Sequence, residues 1–220
     1  MDFTKYVWML QNSALFFSRA DLLGDPFEGS ISVYNKTQYP SVYADFPPDE
    51  LARLSASRSA IPKWTYVNSW HVNERESAAM WRLYLTADEG IAVISSYDRL
   101  FAALPERAYL GLVSYLDYDR EWMNESNLFY PFVHKRRSFE HERELRAVIQ
   151  DLPIAEGRAE LSRGNPESGR IVQVNLNSLV ESVRVAPTAT EWFSQLVTEV
   201  SAKYQITSVS KSDLATAPFF

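Results

Sequence analysis

Glu142-Arg143-Glu144-Leu145-Arg146-Ala147-Val148-Ile149-Gln150 reads as a β-strand with two unlike faces. Side chains alternate along an extended chain. Leu145, Ala147 and Ile149 therefore share an apolar face, and Glu142, Glu144 and Arg146 share the other. The apolar face needs a partner layer, and the flanking sequence supplies strands and helices in mixed order.

Downstream, Ile171–Asn175 and Ser182–Ala186 read as strands. Thr188 with Glu191 has capping-box spacing, and Phe193, Leu196, Val197, Val200 and Tyr204 follow at helical spacing. A last long helix packing on a sheet is expected there. Upstream, Leu128–Arg137 reads as helical in part, Tyr109–Tyr118 as a strand and Tyr97–Leu104 as a helix. Gly90–Ser95 is a continuous apolar run, the pattern of a central strand. Asn73 with Glu76 gives a near-capping-box start for a helix over Ser77–Leu85. Trp64–His71 reads as a strand, Pro48–Arg58 as a helix and Ala14–Arg19 as a strand. Thr4–Asn12 reads as a helix with Val7 and Leu10 inward. Asn35–Pro48 and Leu152–Gly169 carry turn residues and read as surface loops. No regular βαβ repeat emerges, so the expected class is α+β, with a mixed or antiparallel sheet and short helices packed on it. At 220 residues, one domain over 1–220 is the expectation, with residues 150–220 completing it.

Composition narrows the chemistry. Hydrophobic residues make up 46% and aromatics 14%, enough for a sizeable core. The chain has no cysteine, which excludes disulfides, thiolate metal sites and cysteine nucleophiles. A net charge of −6 disfavours a whole-surface nucleic-acid binder. Met1-Asp2-Phe3 opens no signal peptide, and no apolar run reaches membrane-spanning length, so a cytoplasmic protein without a membrane partner is expected. The three histidines, His71, His134 and His141, show neither HxH nor HExxH spacing, so a metal site on them has only weak support. GxGxxG, GxxxxGK[ST] and GxSxG are all absent, which removes Rossmann, P-loop and hydrolase-elbow readings.

Three stretches remain that could carry chemistry. The Glu142/Glu144 pair places two carboxylates about 7 Å apart along a strand face. Carboxyls that close repel when both are charged, so one holds its proton longer unless a cation intervenes. Such a pair suits acid–base work or stabilisation of a cationic sugar. Lys135, Arg136, Arg137, Arg143 and Arg146 make the same region locally basic, which suits a phosphate. A salt-bridged structural face gives the same pattern. In Phe16–Gly29, a strand delivers Arg19 into a loop holding Asp21, Asp25 and Glu28, suited to ligand capture or simply to turn formation. In Asn68–Tyr84, His71 ends a strand, and Trp81 and Tyr84 meet on one helix face. Such an aromatic pair could clamp a ring, and such pairs are also common core packing.

Gly24-Asp25-Pro26-Phe27-Glu28, Met80-Trp81-Arg82-Leu83-Tyr84, Gly90, Lys135 and Phe139 through Arg146 together resemble a bacterial family known as domain of unknown function two-nine-seven-one. The resemblance covers about Lys5 to Ile149. Gly24 stands where that family has Asn, and Phe139 and Leu145 stand where it has tryptophans. The family implies a site at these residues and no assigned reaction. At the level of architecture, the late Glu-x-Glu strand also resembles ADP-ribosyltransferases. That likeness implies Glu144 as the catalytic carboxylate, Glu142 as its helper and Arg19 with Tyr84 against the cofactor.

Three functions follow as expectations. The first is an enzyme that cleaves NAD and transfers or hydrolyses its ADP-ribosyl group, as a toxin or phage-defence effector would. The second is a module that captures a nucleotide or phosphorylated ligand, with Arg19, Lys135 and Arg146 as its cations and Asp25, Glu28, His71, Trp81 and Tyr84 lining the site. The third is a nuclease holding Mg²⁺ on Asp25, Glu28, Glu142 and Glu144. The oligomeric state is not legible.

Overall fold

The computed structural model describes residues 1–85 and 89–218. Its helices are α1 (Phe3–Asn12), α2 (Val33–Val42), α3 (Pro48–Ala60), α4 (Ala78–Tyr84), α5 (Tyr97–Ala103), α6 (Leu176–Leu179) and α7 (Glu191–Ala202). Its strands are β1 (Ala14–Arg19), β2 (Thr65–His71), β3 (Ile91–Ile94), β4 (Tyr109–Leu112), β5 (Ser114–Leu116) and β6 (His134–Arg136). They continue with β7 (Glu144–Gln150), β8 (Ile154–Ala155), β9 (Arg158–Ala159), β10 (Gly169–Gln173), β11 (Ser182–Val185) and β12 (Val209–Lys211). The class is α+β. The chain divides into two compact units: residues 1–15, 73–105 and 171–220 form one, and 16–72 and 106–170 the other.

The second unit is built around β7. A five-stranded sheet runs β10-β1-β2-β7-β4, and β7 lies antiparallel to both β2 and β4. Its residues 144–149 are all buried, because both faces are covered. The register decides what shares a face. Val67, Ser69 and His71 of β2 sit opposite Val148, Arg146 and Glu144 of β7. One face of the sheet thus changes character along its length. At the Val67/Val148 end it joins an apolar cluster with Ala20, Ile61 and Phe132. At the His71/Glu144 end it is ionic. The opposite face carries Tyr66, Ile149 and Ala147, all fully buried.

The first unit has a three-stranded sheet, β12-β11-β3, parallel between β11 and β12 and antiparallel between β11 and β3. Helices α1 and α7 lock together where the Tyr6 hydroxyl meets Ser201 Oγ at 2.7 Å and Phe3 packs edge-on against Phe193. α1 starts at Asp2, whose carboxylate accepts from Lys5 N, and buries Tyr6, Met9 and Leu10. Val7, expected inward, is half-buried.

Several expectations are corrected. α2 occupies much of the stretch read as a loop from Asn35: Ser32 caps it, and Pro40 is tolerated near its end. β3 forms the edge of its sheet rather than the centre, its apolar run covered without a second partner strand. α4 is capped by Ser77 rather than Asn73, and α7 by Thr190 rather than Thr188, because the side-chain oxygen must sit directly before the first turn. Tyr109–Tyr118 breaks into β4 and β5. After a short 3₁₀ turn, Leu128–Arg137 ends in β6, which pairs with β5 in parallel.

Candidate functional site

Glu142 and Glu144 do converge, though not as expected. The strand begins at Glu144, and Glu142 closes a 3₁₀ turn over Arg137–Glu142. Between them Arg143 adopts a left-handed conformation, φ 42°, which turns the chain sharply. This kink replaces strand alternation as the device that brings the two carboxyls to one place.

That place is the Lys135 ammonium. Lys135 sits opposite Tyr115 in the β5/β6 pair, so both side chains reach toward the start of β7. Lys135 Nζ donates to Glu142 and, at 2.8 Å, to Glu144 Oε1, and lies 3.6 Å from Glu28 Oε1. The Tyr115 hydroxyl accepts from Glu144 N at 2.9 Å. Arg146, only 1% exposed, donates Nε to Glu144 Oε2 at 2.5 Å and forks onto both Glu28 oxygens at 2.7 Å. It also donates to the Phe132 carbonyl at 2.9 Å. Ser69 Oγ donates to Glu144 Oε2 at 3.0 Å. Glu28 is delivered by the Asp25–Gly29 turn. Gly29 has φ +70°, and any Cβ there would collide with the Phe132 ring. Charges this deeply buried persist only when each is paired and hydrogen-bonded, as these are.

The cluster holds three carboxyls, Glu28, Glu142 and Glu144, against two cations, Lys135 and Arg146. The surplus of one carboxyl falls on Glu142, the least buried of the three. Burial first, and then the Glu144 carboxyl beside it, push Glu142 above the usual glutamate range. Burial opposes ionisation of Glu144 as well, but Glu142, Arg146 and Lys135 outweigh it and hold that carboxyl well below the usual range. Lys135 is likewise raised, its bonds to Glu142 and Glu144 overcoming burial. Two neighbouring carboxyls therefore titrate in opposite directions, which is the environment-driven split found in acid–base pairs.

Two further features adjoin the pair. His71 faces Glu144 across the β2/β7 pairing, and its Nδ1 lies 2.6 Å from the Glu142 carbonyl. A carbonyl only accepts, so Nδ1 carries a proton. Nε2 is buried with no partner among the described residues. Arg136 donates to Asp25 Oδ1 at 2.7 Å and stacks on Phe27, 4.2 Å from the ring centre, with Phe139 at 5.4 Å on another side. Phe139 also lies 4.7 Å from Lys135 Nζ. Burial, with Glu28 and Asp25 nearby, pushes the Tyr118 phenol up, so it stays protonated.

Of the sequence candidates, Glu28, His71, Lys135, Glu142, Glu144 and Arg146 therefore meet, and Asp25 joins through Arg136. Arg19 does not: it is bound to Asp21 at 2.6 Å and to the carbonyls of Asn165 and Glu167, where it ties down the loop before β10. Trp81 and Tyr84 lie on α4 in the first unit, where Trp81 Nε1 donates to Glu76 at 3.0 Å and Tyr84 is largely exposed. Sequence reasoning missed Ser69 and Tyr115. Ser69 was recoverable from the period of two that links it to His71. Tyr115 had no signal, because its role depends on the β5/β6 pairing.

Comparison with known proteins found no matching family model, no matching curated protein and no matching solved structure. Among the described residues, no helix is long and apolar enough to cross a membrane.

Proposed function

We propose that this cluster is the active site of an enzyme that cleaves the N-glycosidic bond of a nucleotide, NAD being the first candidate, and that Glu142 is the carboxyl that meets the substrate. The observation that carries the reading is geometric: Glu142 and Glu144 converge on one buried ammonium, that of Lys135. Glu144 has every oxygen engaged and is only 6% exposed, so it serves to position Lys135 and Glu142. Glu142 lies at the more open end.

The nicotinamide of NAD leaves as a neutral molecule from a cationic ring, so its departure needs no acid. The C1′–N bond breaks, Glu142 carboxylate stabilises the cationic sugar, and the oxygen of water or of an acceptor hydroxyl forms the new C1′–O bond. The proton released from that oxygen passes to the Glu142 carboxylate. The resemblance to family two-nine-seven-one stands beside this reading as a proposal of its own.

The experiment is nicotinamide release from NAD by wild type and by Glu142→Gln, which keeps shape and hydrogen bonding. A hundredfold or greater loss, on the order of 3 kcal/mol in the barrier, is expected with the fold intact. Absence of release by wild type, or full activity in the variant, overturns the reading. The nuclease alternative has less support, because Lys135, Arg146 and Arg136 already occupy the oxygens a divalent ion would use.

A further inference from the structure

In the first unit a cleft of about 520 Å³ opens where the end of α1, the end of α5, the β10–α6 junction and the turn after α7 come together. That volume lies in the range of small-ligand pockets, about 300–1,000 Å³. Its lining is polar but carries no charged side chain: Ser13, Gln173, Asn175, Asn177, Ser178 and Tyr204 surround a floor that includes Val174 and Leu176.

Some of these groups serve the fold. Asn175 caps α6, and Ser178 Oγ donates to the Asn175 carbonyl at 2.9 Å. The Ser13 hydroxyl, the Gln173 amide and the Tyr204 hydroxyl make no hydrogen bond among the described residues. They are left available around one volume.

A second, independent observation concerns backbone. Ser13 closes α1 in the left-handed conformation, φ 47° and ψ 48°, and Gln205, in the turn that follows α7, also has a positive φ of 65°. Ser13 is a helix C-terminal position, its N bonding back to Leu10, and the turn at Gln205 is closed by Ile206 N bonding back to Ser201. Glycine is the favoured residue at such a position, and a side chain there is held against its preference. Ser13 presents that side chain to the cleft, and Gln205 uses its own to accept from Asn177 Nδ2 at 3.4 Å. Ser13, in a conformation that favours glycine, therefore stands in the lining of the cleft, and Gln205 contacts one of the lining residues. Non-glycine residues in this region of backbone space tend to gather at functional sites.

We infer that this cleft is a binding site for an uncharged, hydroxyl-rich ligand, a sugar ring carried either by a saccharide or by a nucleoside. Amides and hydroxyls match the donors and acceptors of a polyol. The Tyr204 ring supplies an apolar face for a sugar or a base to pack on. The absence of charge in the lining disfavours a phosphate.

Isothermal titration of the full chain with maltose, adenosine and AMP tests it. Binding of maltose, of adenosine or of both is expected, and which of them binds identifies the source of the sugar ring. Gln173→Ala should weaken that binding about fivefold to tenfold, the effect of one hydrogen bond. Ser13→Gly should weaken it too, while leaving the melting temperature unchanged or raised. No binding of either neutral ligand up to about 10 mM, weaker than a millimolar site, overturns the inference. So does AMP binding more tightly than adenosine, binding that ignores both variants, or a Ser13→Gly protein that melts lower.

Discussion

At the scale of residues, the ionic end of the β2/β7 face explains why a strand so apolar elsewhere can carry Glu144 and Arg146 inside. Arg146 is saturated by Glu28, Glu144 and a carbonyl, so removing one partner strands a buried charge. Glu28→Ala is expected to cost about 3–5 kcal/mol, the range for breaking a buried ion pair, read as a lower urea midpoint. A loss under about 1 kcal/mol would class the pair with surface ion pairs instead. Gly29→Ala attacks the same contact from the backbone. A Cβ at φ +70° is strained and meets Phe132, so the variant should destabilise the protein. A wild-type melting temperature would show that the turn relaxes freely. These partnerships were only half legible in the sequence. The Glu-x-Glu-x-Arg spacing pointed to the right residues. Their convergence depends on the left-handed Arg143 and on Lys135 arriving from another strand, and neither is encoded in local periodicity.

At the scale of elements, strand and helix positions followed the apolar pattern closely: β1 spans Ala14–Arg19, as its sequence suggests. Errors gathered where local chemistry is ambiguous. Asn35, Pro40 and the following prolines read as a loop, yet Ser32 caps a helix there and Asn35 is fully buried, bonded to the Met123 carbonyl at 2.7 Å. A tertiary partner overrode weak helix propensity. Choosing the cap residue is also a matter of one or two positions. Thr190, whose hydroxyl accepts from Phe193 N at 3.3 Å, holds the start of α7. Thr190→Ala is expected to cost about 1 kcal/mol, and Thr188→Ala much less. Equal losses in a pair of thermal melts would reject that assignment.

At the scale of the whole molecule, stability should depend on pH through groups that oppose one another. Glu144 in one unit and Glu76 in the other are both held below the usual glutamate value. For Glu76 burial opposes this, and bonds from Ser212, Asp213 N and Trp81 prevail. A lowered folded value contributes stability above the unfolded value, about 4.3, which is lost as pH falls through the folded one. Glu142 has the reverse sign: its raised value means that folding is favoured as pH falls through it. Glu76→Gln should therefore flatten the loss of stability below about pH 4.3, and an unchanged slope in acid titration would contradict it. The α+β class and the absence of cysteine chemistry were readable from the sequence. The division into two units was not, because each unit is assembled from stretches far apart in the chain. Trp81 and Tyr84 fall in the first unit and Glu142 and Glu144 in the second. The central claim concerns the split between Glu142 and Glu144, and carbon-13 titration of the glutamate side-chain carboxyls measures it directly. Glu142 should titrate above 4.5 and Glu144 below it, and removing the ammonium as Lys135→Met should raise both, because that ammonium lowers each. Two carboxyls that both titrate near the ordinary value in wild type would contradict the account and leave the cluster a structural salt bridge.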